Sequence, residues 1–193
     1  MAGGAVSIAM ITFLASALVL SSIPEVASTS PSPLIKDVCG STAKEIKALD
    51  PKICAETLVS EPRVVAASNL VSMSIALLEA GISNATKTRS YVQKLLKRRG
   101  LKPDYKYVLQ QCDGGYENFG WSFVSALGEV KEGEYDTATY DIKVGYTDNI
   151  DECQNALSSK NVRDYAISRG NDFLVLIGEV GFNTVNRLPS DYL

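Results

Sequence analysis

Four cysteines and no histidine set the chemical limits of this 193-residue chain. Without histidine, the Ser-His and Cys-His pairs that activate a hydroxyl or thiol cannot form. The commonest metal ligand is missing as well. Cys39, Cys54, Cys112 and Cys153 are even in number, and if bridged they leave neither a thiolate nucleophile nor a zinc thiolate. Gly114-Gly115 lies inside a helical stripe and is not followed by a phosphate-cradling pattern. Paired carboxylates could still support glycosidase-type hydrolysis. Here the acidic residues lie beside apolar stripes, as they do on ordinary solvated helix faces. The chemistry that remains is binding, with no catalytic residue, no metal and no cofactor.

The elements that carry these residues follow a removable leader. Ala5 to Leu20 is almost unbroken in apolar and small residues, and Pro24 then breaks it. Val26-Ala27-Ser28 fits signal peptidase, which predicts a signal peptide over residues 1–28 and a single domain over 29–193. The run is short for a membrane span of about 20 residues, and no basic stop-transfer segment follows. An even cysteine count suits export, where disulfides persist. Asn84-Ala85-Thr86 is a glycosylation sequon, meaningful only on that route. No ER-retention tetrapeptide ends the chain. The expectation is a secreted, extracellular protein, with the vacuole as the other destination.

Ser28 to Pro33 reads as a loose lead-in, and a helical hairpin over about 34–60 follows, broken at Asp50-Pro51. One cysteine lies in each arm, so Cys39 and Cys54 can pin it. Closing a loop of roughly 15 residues contributes about 3 kcal/mol. The rest, about 62–190, has helical period. Tyr105, Leu109, Cys112, Tyr116, Phe119, Phe123, Ala126 and Val130 alternate four and three without a fault. Lys102-Pro103 opens that helix, and Glu132-Gly133-Glu134 closes it. A stripe through Ala166, Gly170, Phe173, Ile177, Val180 and Thr184 marks the last helix. A looser one through Tyr135, Ala138, Ile142, Tyr146, Asn149 and Cys153 marks the one before. A long helix from Val65 to about Arg99 precedes them, with a bend expected at Gly81. No strand-like alternation appears. The expected fold is all-α: a hairpin in front of an antiparallel up-down-up-down four-helix bundle. Cys112 and Cys153 share stripe positions on consecutive helices, which favours a second bridge between them. Bridges tying the hairpin to the bundle are the alternative.

Charge is segregated. Asn84 to Lys106 is basic, with Lys87, Arg89, Lys94, Lys97, Arg98, Arg99, Lys102 and Lys106 against Asp104. Asp113 to Glu152 is acidic, against Lys131 and Lys143 alone. Either the blocks pair across neighbouring helices, or the acidic surface steers a basic protein partner. A net charge of −3 and the export signals argue against nucleic acid.

Ile35-x3-Cys39-x2-Thr42, Cys54-x3-Leu58, Leu109-x2-Cys112-x3-Tyr116, Gly133-x-Tyr135-x2-Ala138 and a Cys153 ahead of the last helix form one framework. With it, the chain resembles the plant invertase and pectin methylesterase inhibitor family, over about Leu34 to Leu188. The resemblance implies bridges Cys39–Cys54 and Cys112–Cys153. It also implies an inhibitor that is not an enzyme, binding one molecule of a pectin methylesterase or acid invertase and occluding its active-site cleft. Invertase inhibitors of the family often carry Pro-Lys-Phe near the start of the helix bearing the fourth cysteine. Gly133-Glu134-Tyr135-Asp136-Thr137 stands there instead, which turns the reading toward pectin methylesterase. From charge, the expected partner-binding residues are Asp113, Glu117, Asp136 and Asp148. Some relatives carry this domain ahead of a pectin methylesterase; ending at Leu193, this chain reads as a free-standing form. A non-inhibitory secreted bundle is the further alternative.

Overall fold

Prolines and short polar side chains set where the helices begin. Our computed structural model describes residues 30–189, so the leader and its cut after Ser28 lie outside the described residues. Ser32 caps α1 (Pro33–Glu45), its hydroxyl accepting from the Ile35 amide at 3.2 Å. Asp50 caps α2 (Pro51–Leu58) in the same way, accepting from Lys52 at 2.7 Å. A single turn, α3 (Pro62–Val65), comes next.

The long helix expected from Val65 begins later. Asn69 and Ser72 form a reciprocal capping box, and α4 runs Leu70–Leu96. It continues as regular helix through Gly81. That glycine seats a ring: a Cβ there would lie 2.8 Å from two carbons of Phe123. α5 (Pro103–Glu132) opens on Pro103 and ends at Gly133, whose φ of 84° is the left-handed C-cap that favours glycine. The next helix is composite: α6 (Tyr135–Val144), a π-helical turn over Gly145–Asn149, then α7 (Ile150–Ser159). Asp164 caps α8 (Tyr165–Val185), accepting from Ala166 and Ile167. No strand occurs among the described residues.

Seam contacts fix the directions. Gly81 and Arg89 of α4 meet Phe123 and Asp113 of α5, so numbers rise on one helix as they fall on the other. Gly115 and Phe123 of α5 meet Asn149 and Gly145 of the composite helix. Gly178 and Asn171 of α8 meet Tyr146 and Cys153. Gly170 and Gly81 meet Thr88 and Ile177, closing the ring between α8 and α4. Each neighbouring pair is antiparallel, which is the up-down-up-down order.

The α5 stripe faces inward from Leu109 to Val130, whereas Ala166 of the expected α8 stripe is exposed and Phe173 half-buried, the buried face there running through Ile167, Asn171, Leu174 and Ile177. Phe119 and Phe123 stack at the centre, with ring centroids 4.0 Å apart. Leu77, Leu109, Ile142, Leu174 and Ile177 around them are fully buried. Cys39 is bridged to Cys54 and Cys112 to Cys153, and no free cysteine occurs among the described residues. No disulfide joins the hairpin to the bundle. The hairpin is held instead on the end of α8, where Arg187 reaches Asp37 at 2.6 Å and Ser41 donates to Asn183 at 2.9 Å.

Candidate functional site

Every described cysteine is bridged, and no cluster of potential metal ligands occurs among the described residues. The helices offer several surfaces. The most distinctive one is the outer face of α5. The apolar stripe of α5 turns Phe119 and Phe123 into the core, so helical spacing turns Gly114, Glu117, Trp121, Val124 and Gly128 outward. Trp121 is the sole tryptophan of the chain and is 70% exposed; Val124 is 50% exposed. A Cβ on Gly114 or Gly128 would meet nothing within 4 Å. Glycine inside a helix costs about 1 kcal/mol relative to alanine. No packing inside this fold offsets that cost at these two sites. What they provide is a low rim on either side of the tryptophan, where another surface can come close to the backbone.

One edge of this face is an ion cluster at the α4–α5 seam. Arg89 Nε donates to Asp113 Oδ1 at 3.0 Å, and its terminal nitrogen reaches Glu117 Oε1 at 2.8 Å. Burial works against the charge on Arg89, but the hydrogen bonds it donates to Asp113 and Glu117, with their negative charge, outweigh it, and its pKa is raised. Beside the cluster lies a shallow groove of about 350 Å³, lined by Ile82, Thr86, Ser90, Gln93, Tyr116 and Trp121 among others. The opposite edge is the π-helical turn, where Asn149 donates to Ser122 at 3.5 Å.

Below the surface, Tyr116 ties the face to the core. Its hydroxyl donates to Asn171 Oδ1 at 2.6 Å, and Asn171 Nδ2 lies 3.4 Å from the Cys153 sulfur. Burial pushes the Tyr116 phenol well above its ordinary value, so it stays a donor.

The expected partner-binding carboxylates do not form one cluster. Asp113 and Glu117 share the single positive charge of Arg89, which leaves the cluster net negative. Asp136 is exposed in the first turn of α6. Asp148 is exposed in the π-helical turn and accepts from the Thr147 hydroxyl at 2.9 Å. Among the described residues, no hydrogen bond or ion pair joins Asp136 or Asp148 to the other two. Asn84 of the sequon lies inside α4, half-buried, with Thr88 donating to its carbonyl at 3.0 Å. Thr88 in turn packs on Gly170, so the acceptor amide sits beside the α4–α8 seam and not on a loop. Trp121 and Val124 were missed by sequence reasoning. Their signal was a large apolar pair falling between the inward positions of a faultless stripe.

Residues 33–177 match the family described as plant invertase/pectin methylesterase inhibitor. The chain belongs to that family. Solved structures of inhibitors share the fold. A mutant form of a pectin methylesterase inhibitor from Arabidopsis aligns with a TM-score of 0.70 at 18% identity, covering 83% of this chain and all of that one. A pectin methylesterase inhibitor from Arabidopsis thaliana aligns at 0.60 and 19%, covering 82% of this chain and 97% of the other. Among curated proteins, none matches the chain. For this member of the inhibitor family, the coarse function is inhibition of pectin methylesterase or invertase. No described helix is long and apolar enough to cross a membrane.

Proposed function

We infer that this protein is a secreted inhibitor of pectin methylesterase. It binds one enzyme molecule and closes the active-site cleft with the outer face of α5 and the flanking edges of α4 and the composite helix. The observation that carries the inhibitor reading is the family match over residues 33–177. What favours pectin methylesterase over invertase is the corner between α5 and α6. Gly133-Glu134-Tyr135-Asp136-Thr137 lacks Pro-Lys-Phe, and Gly133 is committed to capping α5.

Inhibition of this kind needs no chemistry from the inhibitor, only a rigid shape and a few strong anchors. α5 is 30 residues long, about 45 Å, so one helix can span an extended cleft. Trp121 is the anchor, since an exposed indole gains most when a partner desolvates it. Arg89 holds Asp113 and Glu117 in fixed positions, which limits the side-chain entropy lost on docking. Asp136 and Asp148, exposed and in no ion pair among the described residues, supply the negative potential that steers a basic cleft rim toward this side. Removal of residues 1–28 releases the domain into the apoplast.

A paired titration tests the reading. The exported protein, disulfides intact, is added to a plant pectin methylesterase and to a plant acid invertase at apoplastic pH. Loss of methylesterase activity near equimolar ratio, with invertase untouched, is the expected result. Loss of invertase activity alone would overturn the choice of target. Loss of neither, with the fold confirmed by circular dichroism, would overturn the inhibitor reading.

A further inference from the structure

The basic block meets the acidic one, among the described residues, at a single point. Among the described residues, Arg89 alone of its cations meets a carboxylate of the acidic block. Six of the others collect at one end of the bundle, while Lys87 lies farther back on α4. Lys94, Lys97, Arg98 and Arg99 close α4, and Lys102 and Lys106 open α5; all six are exposed. The far end of α7 and the start of α8 arrive at the same place. Tyr91 and Tyr105 both donate to Asp164, the cap of α8, at 3.2 and 2.9 Å. Lys160 reaches Asp104 at 3.2 Å. Lys160 and Arg163 therefore join the group, and only Asp104 and Asp164 oppose these eight cations. Neither carboxylate is free, and of the eight cations only Lys160 is ion-paired among the described residues. A chain with a net charge of −3 thus presents one strongly positive end.

That end is also aromatic. Tyr107 and Tyr165 are 44% and 77% exposed. The Lys160 ammonium lies 5.4 Å from the centroid of the Tyr107 ring, and the Arg169 guanidinium 5.7 Å from that of Tyr165. Exposed tyrosine faces between cations suit a polymer that alternates carboxylates with flat C–H surfaces, as a polyuronate does. Arginine takes carboxylate through two parallel donors, and a sugar ring packs its apolar face on a phenol.

We propose that this end of the bundle is a second binding site, which takes the carboxylate stretches of an acidic polysaccharide. The choice of polymer rests on the inhibitor reading. A pectin methylesterase turns neutral methyl esters into carboxylates, so its product is a polyanion laid down where the enzyme works. Lys106 and Trp121 are 15 residues apart on α5, about 22 Å, so polymer and enzyme can be held together. The site would keep the inhibitor on wall already de-esterified, beside the enzyme still acting there.

The test uses the exported protein without any enzyme, so polymer binding and inhibition are read separately. Fluorescence anisotropy follows binding to labelled polygalacturonate oligomers and to the same oligomers fully methyl-esterified. The expected result is binding to the acidic form only, weakening as salt rises. Arg98→Gln/Arg99→Gln/Lys102→Gln should weaken it about tenfold, from roughly two- to threefold per exposed charge pair. Tyr165→Ala should weaken it further while leaving the salt dependence in place. Both variants should keep their melting temperature and their inhibition of the methylesterase. Equal binding of the two oligomers, or full binding by the triple variant, would overturn the proposal. So would capture by phosphatidylserine vesicles without binding to polygalacturonate.

Discussion

Tyr116 and Asn171 offer the sharpest test of how the α5 face is held. Both are 1% exposed, and the phenol donates to the amide oxygen at 2.6 Å across the bundle diagonal. Tyr116→Phe removes the donor and leaves Asn171 Oδ1 buried with no partner among the described residues. An unsatisfied buried acceptor costs about 1–3 kcal/mol, so we expect about 2 kcal/mol. For a domain of this size that is a fall of roughly 4–8 °C in melting temperature. Asn171→Leu should cost a similar amount, about 1–3 kcal/mol, because the Tyr116 hydroxyl keeps only the Ile167 carbonyl at 3.4 Å. The double variant decides the matter. With both polar groups gone, neither is orphaned, and the combined loss should be smaller than the sum by about 1–2 kcal/mol. Urea unfolding with both disulfides intact measures all three, and an unchanged slope shows that the denatured state is not altered. A cost below about 0.5 kcal/mol for Tyr116→Phe, or simple additivity in the double variant, would refute the reasoning.

Three further outcomes are expected. Trp121→Ala should weaken inhibition by about thirtyfold or more, equivalent to at least ~2 kcal/mol of an interface anchor, while unfolding is unchanged because the ring is already exposed. Gly178→Ala should destabilise by about 1–3 kcal/mol, since a Cβ there collides with the Tyr146 side chain; Gly181→Ala, whose Cβ would find only Ile142 at 4.0 Å, should be neutral or stabilising by thermal melting. Burial lifts the carboxyl of Glu179, and burial followed by Asp141, Glu132 and Glu134 lifts that of Glu129. The fold then binds these protons more tightly than the unfolded chain does. Their contribution is full below the ordinary carboxylate value of about 4.3 and is lost as pH rises through the higher folded values. Glu129→Gln/Glu179→Gln should therefore gain stability over the parent as pH rises from about 4 toward neutrality, in melting curves taken across that range. A constant difference would contradict the assignment.

Much of this architecture was legible before any coordinates. An apolar stripe states which side of a helix is buried, and the α5 stripe from Tyr105 to Val130 did so without ambiguity. Cys112 and Cys153, at inward positions on consecutive helices, favoured one another, while the full pairing with Cys39–Cys54 came from the family resemblance. Helix starts were harder. Val65 looked continuous with the long helix, and only the capping box between Asn69 and Ser72 moves the start to Leu70. Gly81 suggested flexibility, yet what it supplies is room for a ring from another helix, a demand that no local pattern encodes. The surface was least legible. Asp113 and Glu117 could be read either as paired across helices or as a partner-facing charge, and which holds depends on what the neighbouring helix sets opposite them, here Arg89. Trp121 was in plain view, but its exposure follows only once the inward side is known.

The π-helical turn at Gly145–Asn149 has a consequence for how this sequence can vary in length. Such a turn holds one residue more than the α-helix it interrupts and absorbs it within a single wide turn. The buried positions therefore step by five from Gly145 to Ile150, yet Ile150, Cys153 and Leu157 stay in phase with Ala138 and Ile142. Loss of a single residue there would close the turn to regular α-helix and leave Cys153 facing Cys112. The same loss inside the regular α5, between Cys112 and Phe123, has no wide turn to absorb it and would swing the helix beyond it by about 100°. Among descendants of this gene, then, one-residue deletions should be tolerated at residues 145–149 and purged from that part of α5.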